Sequence, residues 1–143
     1  MAVTKVISFG GIGEECATFK IASGTTATVG MAVAFTGNGE VGKGTEGKPI
    51  AGVIKTVDGN GLVGVQYKGF CEDVAITETE AKQPSVGDVV AVDGAGALVK
   101  YTSTTDTTAG AAYADLEVTT PIQSLGAKVI SVDTTALTAT ILL

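Results

Sequence analysis

Val29-Gly30-Met31-Ala32-Val33-Ala34-Phe35-Thr36-Gly37-Asn38-Gly39-Glu40-Val41 returns 57 positions later as Val86-Gly87-Asp88-Val89-Val90-Ala91-Val92-Asp93-Gly94-Ala95-Gly96-Ala97-Leu98, with six of the thirteen positions identical. Each copy reads as a strand entered through a Val-Gly corner, a tight glycine turn, and a return strand starting at Val41 or Leu98, which is a β-hairpin signature. A second unit follows each copy. Val57-Asp58-Gly59-Asn60-Gly61-Leu62 is matched by Val132-Asp133-Thr134-Thr135-Ala136-Leu137 at an offset of 75, and a one-residue shift fits almost as well. The chain therefore reads as all-β, built from two related hairpin modules. The 18 extra residues of the second copy fall between its two units.

Composition supports that reading. The 143 residues suit one domain, with 20 glycines, 5% aromatics and neither His nor Trp. Val and Thr fit pleated surfaces and Gly supplies the positive φ of tight turns, so the menu is that of a turn-dense β protein. All nine basic residues are lysines, against fifteen acidic ones, for a net charge of -6. Binding to DNA or RNA rests on neutralising phosphates, so no direct nucleic-acid partner is expected. No apolar stretch approaches the ~20 residues of a membrane-spanning helix, and the N-terminus lacks the pattern of a signal peptide. A soluble chain made in the cytoplasm, with no membrane partner, is the expectation.

Residues 1–16 read as an N-terminal arm and glycine hinge, and residues 17–143 as a single β domain. Val3, Lys5, Ile7 and Phe9 stand at alternate positions before Gly10-Gly11-Ile12-Gly13, and Gly10, Gly11 and Gly13 are the hinge. Ala17 to Ile21 alternates, with Phe19 and Ile21 on one face. Module one spans 26–70, an acidic linker 71–85, and module two 86–143, with a Thr-rich insertion over 101–120 taken as an exposed loop. The apolar strand from Leu137 to Leu143 must be covered, either as a central strand or by another subunit, because an exposed apolar edge aggregates.

No catalytic kit emerges. Gly10-Gly11-Ile12-Gly13 and Gly42-Lys43-Gly44-Thr45 lack the spacing and the following helix of a phosphate-binding loop. Glu72, Asp73, Glu78 and Glu80 lack the alternate acidic spacing of a calcium loop and read as solvated surface. Without histidine the usual schemes of nucleophile activation are missing, so no enzyme, no metal and no cofactor are expected. Cys16 and Cys71, 55 residues apart, read as two small buried hydrophobes that stay reduced.

The order of elements resembles the tailed-phage capsid decoration proteins, also called cement or head-stabilisation proteins. The residues that carry the resemblance are the Val-Gly strand entry, Pro49-Ile50-Ala51-Gly52-Val53-Ile54, Lys68-Gly69-Phe70, Val86-Gly87-Asp88-Val89-Val90-Ala91-Val92-Asp93-Gly94 and the final apolar strand. The resemblance implies a small β-barrel or β-tulip with an extended arm. It also implies a homotrimer seated on the major capsid protein lattice, on the outer capsid surface of the virion, with the arm ordering there. Val3, Lys5, Ile7 and Phe9 would then be the capsid contact. The alternatives are a tail-tube or minor coat protein, and a carbohydrate-binding or adhesion module with the exposed Thr-rich loop as its contact and Tyr67, Tyr101 and Tyr113 as the plausible stacking platforms.

Overall fold

A computed structural model describes residues 11–102 and 126–143. Ten strands carry the described fold: β1 (Glu15–Ile21), β2 (Ala32–Gly37), β3 (Glu40–Gly42), β4 (Gly52–Val57), β5 (Leu62–Lys68), β6 (Phe70–Ala75), β7 (Val90–Val92), β8 (Leu98–Lys100), β9 (Lys128–Asp133) and β10 (Thr138–Leu142). A single 3-10 turn, Glu80–Lys82, is the one helical element among these residues. The all-β expectation therefore holds.

Strands β1, β3, β2, β4 and β5 close into a barrel in that order, with β1 parallel to β3 and the other neighbours antiparallel. The remaining five strands repeat the arrangement. β6 pairs with β10, β10 with β9 and β7 with β8. An antiparallel bridge Val89↔Lys128 then joins β7 to β9, and a parallel bridge Ile76↔Leu98 joins β8 to β6. The second ring thus runs β6-β8-β7-β9-β10. Matching main-chain bonds support the equivalence: Gly30 N–H donates to Ile54 at 2.9 Å and Gly87 N–H to Val129 at 2.8 Å, while Ala22 N–H donates to Val41 at 2.8 Å and Thr77 N–H to Leu98 at 2.9 Å.

The shift ambiguity in the second unit has a structural origin. Val57 stands opposite Val63, but Val132 stands opposite Ala139, so the second turn is one residue longer and the match passes from an offset of 75 to one of 76. The turns themselves are local devices. Asp58 Oδ1 accepts the Asn60 N–H at 2.9 Å, and Asp133 Oδ1 accepts the N–H groups of Thr135 and Ala136 at 3.0 Å.

The expected linker over 71–85 is not one. It contains most of β6, the first strand of the second ring, followed by the 3-10 turn. Its alternation is hidden by a bulge, in which Glu72 and Asp73 stand where the partner strand has only Thr140 and Asp73 takes a φ of 58°. The expected linker read as acidic and irregular because those two carboxylates sit at the bulge. The Thr-rich insertion lies outside the described residues from 103 to 120.

Two cores result. Met31, Val33, Val41, Ile54, Val63 and Val65 fill the first barrel, backed by Phe19 and Ile21. The other core runs through the second ring and reaches Ala32, Ala34 and Val53 on the outer face of β2 and β4. Those two strands are therefore apolar on both faces, each face serving a different core. Main-chain bonds cross the joint as well: Ala32 N–H to Gly96 at 3.0 Å, Ala75 N–H to Gly30 at 3.2 Å, and Gly47 N–H to Val92 at 2.9 Å. The C-terminal strand β10 is a central strand between β6 and β9, with Ile141 fully buried, so this chain covers it unaided.

Candidate interaction surfaces

The turn before β1 is fixed. Gly11 and Gly13 adopt φ values of 84° and 67° in a turn closed by Glu14 N–H to the Gly11 carbonyl at 3.4 Å. Phe70 N–H donates to the Ile12 carbonyl at 3.0 Å, and Leu143 N–H donates to Gly69 at 2.9 Å. Gly69, at φ 90°, lies so close to Gly13 that any side chain there would strike the Gly13 carbonyl. The chain thus leaves for its N-terminus from a point stitched to the β5–β6 junction, beside the C-terminus. Of the expected hinge, Gly11 and Gly13 form this anchored turn. Gly10 and the expected contact residues Val3, Lys5, Ile7 and Phe9 lie outside the described residues. The expected arm also extends too far, because Glu15 and Cys16 belong to β1.

A groove of about 490 Å³ opens at the joint between the rings. Its lining includes Pro49, Ile50, Val90 and Leu143, with Tyr67 and Tyr101 at its margin. Two of the three tyrosines considered as sugar platforms therefore meet in one depression, and Tyr113 lies outside the described residues. Glu46, on the connection that borders the groove, pairs with Lys82 at 2.6 Å.

The Val-Gly corners present a repeated surface feature. Val29 is 62% exposed and Val86 67% exposed, each directly before a glycine with φ 91°. The left-handed glycine turns the chain sharply and leaves the valine outside the barrel wall. Phe35 is 63% exposed and packs edge-to-face on Phe19, ring centroids 5.7 Å apart. Sequence periodicity places Phe35 with Met31 and Val33, which it follows on the same face. It escapes burial because it sits past the point where β4 stops covering β2, at Val33↔Gly52.

Among the described residues no group of three His, Cys, Asp or Glu side chains could hold a metal ion, and no helix is long and apolar enough to cross a membrane. Asp73, Glu78 and Glu80 are exposed. The cysteines are unpaired, but only one fits the buried expectation. Cys71 is 1% exposed, whereas Cys16 is exposed on β1, where its Sγ donates to Glu14 Oε1 at 3.5 Å. Burial pushes the Cys71 thiol up from 9.0 to about 11, against an opposing pull from Lys55. The Cys16 thiol is raised as well, by desolvation first and by the Glu14 carboxylate second.

Gln66 is the one fully buried polar side chain of this joint, and sequence alone does not single it out. Its Nε2 donates to the carbonyls of Lys68 at 3.0 Å and Phe70 at 2.9 Å, bracing the β5–β6 junction from within. Comparison with protein-family models, with curated proteins and with solved structures finds no match.

Proposed function

We propose that the chain is a structural virion protein that binds the outside of an assembled phage capsid, as a homotrimer, and stabilises it. The observation that carries this reading is the anchored arm root. Residues 1–10, in extended form, would span roughly 30 Å from that point. Val3, Ile7 and Phe9 would present apolar side chains along such a strand while its backbone pairs with an exposed coat strand. Lys5 breaks the apolar face. The partner is the major capsid protein lattice, and neither nucleic acid, cofactor nor catalysis enters the reading. The resemblance to capsid decoration proteins points the same way.

The test is deletion of Met1 to Phe9. The truncated protein should fold, because the first described bond to the barrels involves Ile12, and it should fail to bind expanded, undecorated capsids. Saturation of capsids at the same concentration as the full chain would move the contact to the barrels. Binding should weaken only modestly with salt, since backbone bonds and apolar area, not phosphate neutralisation, carry it.

The groove at Tyr67 and Tyr101 favours a second reading, a carbohydrate-binding module, because sugar rings stack on aromatic faces. Titration with glycan panels, read by tyrosine fluorescence, would support it through saturable binding that Tyr67→Ala abolishes.

A further inference from the structure

Asn38 and Asn60 are the only asparagines of the chain, and each stands directly before a glycine in a hairpin turn of the first ring. The second ring repeats neither: the counterpart of Asn38 is Ala95 and that of Asn60 is Thr135. The glycine carbonyls of the two turns hold consecutive residues of β1, since Lys20 N–H donates to Gly39 at 3.0 Å and Ile21 N–H donates to Gly61 at 2.9 Å. Both turns therefore close the same end of the barrel.

An asparagine before glycine is chemically labile, because no Cβ on the glycine keeps its main-chain nitrogen away from the asparagine side-chain carbon. Geometry sets the two turns apart. The Asn60 turn is braced, with the Asn60 N–H on Asp58 Oδ1 at 2.9 Å and the Asp58 N–H on the Leu62 carbonyl at 2.9 Å. At the other turn, Gly37 pairs with Glu40 across Asn38 and Gly39 alone, and the Gly39 N–H has no hydrogen-bond partner among the described residues. Asn38 is exposed, and open space surrounds the place where Gly39 would carry a Cβ. Asp58 and Asp93 also precede glycines, but main-chain N–H groups engage their Oδ1 atoms, at 2.9 Å for Asp58 and at 2.7 and 2.9 Å for Asp93.

We propose that Asn38-Gly39 is a site of spontaneous deamidation that loosens the first barrel as the protein ages. The Gly39 nitrogen gives up its proton and bonds to Asn38 Cγ, and Nδ2 leaves as ammonia with that proton, closing a succinimide ring. Water then opens the ring. Addition at Cγ leaves aspartate in the ordinary chain, whereas addition at the main-chain carbonyl carbon leaves isoaspartate, with the chain routed through Cγ and one atom longer. That atom falls beside a short seam. β1 and β3 pair only at Lys20↔Glu40 and Ile21↔Val41, and the Gly39 carbonyl that holds Lys20 lies immediately past the altered linkage. Displacing it frees the end of β1 next to Phe19, whose ring packs on Phe35. The proposal concerns the free protein and does not depend on capsid binding.

The test is peptide mapping of the full chain after prolonged incubation at neutral and mildly alkaline pH, with fragmentation that separates aspartate from isoaspartate. In the folded protein Asn38 should convert several-fold faster than Asn60, and faster at the higher pH, because the glycine nitrogen attacks once deprotonated. In urea, where the turns are gone, the two rates should approach each other. Exchange of the Lys20 amide should quicken in the isoaspartyl fraction, reporting local opening. Asn38→Gln, whose longer side chain cyclises poorly, should keep that amide protected through the same incubation. The rate comparison is read on the parent chain and stands even if the variant fails to fold. No conversion at Asn38 in the folded protein, or conversion no faster than at Asn60, would overturn the site. A Lys20 amide equally protected in the isoaspartyl fraction would overturn the loosening.

Discussion

The main-chain N–H of Phe70 donates to the carbonyl of Ile12 at 3.0 Å, tying the residue that opens the second ring to the turn that precedes β1. Gly69, immediately before it, receives the Leu143 N–H and packs on Gly13. One short junction thus holds the Gly11–Gly13 turn, Leu143 and the passage between the rings.

Gly69→Ala should strike this junction hardest. The added methyl would meet the Gly13 carbonyl and the backbone would keep a left-handed φ, together costing about 2–5 kcal/mol. Gly59→Ala, with open space around it and no positive φ, should stay within about 0.5 kcal/mol of the parent. Urea unfolding with comparable m-values would check both.

The two Val-Gly corners should respond unequally. Gly87 has φ 91° with nothing near an added Cβ, so Gly87→Ala should cost about 1–2 kcal/mol from backbone strain alone. Gly30 has the same φ, but an added Cβ would lie 3.1 Å from the Asp73 carbonyl oxygen. Gly30→Ala should therefore cost about 1 kcal/mol more than Gly87→Ala. Thermal or urea unfolding of the two variants side by side measures the difference.

Gln66→Glu keeps the shape of the side chain and replaces its donor with a carboxylate. That group would face the Lys68 and Phe70 carbonyls in a fully buried site, a loss of about 3 kcal/mol or more at neutral pH. Burial raises the folded-state pKa of such a carboxyl, so the loss should grow as pH rises above the unfolded value of about 4.3 and shrink as it falls. Unfolding midpoints of variant and parent at pH 4, 5.5 and 7 would show the gap widening. A gap independent of pH would refute the role assigned to the Gln66 amide.

Cys16 should alkylate in the native protein and Cys71 only on unfolding. The folded-state pKa of Cys71, about 11, lies above its ordinary 9.0, so its contribution to stability is complete below pH 9. That contribution should fall away as pH rises from 9 toward 11. Intact-mass analysis after native labelling tests the first statement. Unfolding midpoints of parent and Cys71→Ala between pH 8 and 10.5 test the second, since the variant should lose this part of the pH dependence.

Much of the strand pattern was legible because its signals are local. Val-Gly corners, Asp-led turns and the alternation around Phe19 depend on backbone conformations and on faces that neighbouring residues set. β6 was not legible, since its bulge breaks the period of two at Glu72 and Asp73. Phe35 and Cys16 misled for different reasons. The spacing of Phe35 marks it as inward, but burial requires a covering strand and the pairing of β4 with β2 ends at Val33; Cys16 was read from residue type, whereas the alternation of β1 puts it with Thr18 and Lys20 on the exposed face.

An all-β chain made of a doubled hairpin unit can be read from consecutive residues, because turn chemistry and the repeat are local. Folding in three dimensions set the rest: each copy recruits a strand from before it to close a five-stranded ring, and β2 and β4 serve two cores at once. It also decided that Gly47 and Lys48 fill the Val92 edge. Such pairings join segments tens of residues apart, and the hydrogen bonds and buried area that select them exist only once the rings have closed.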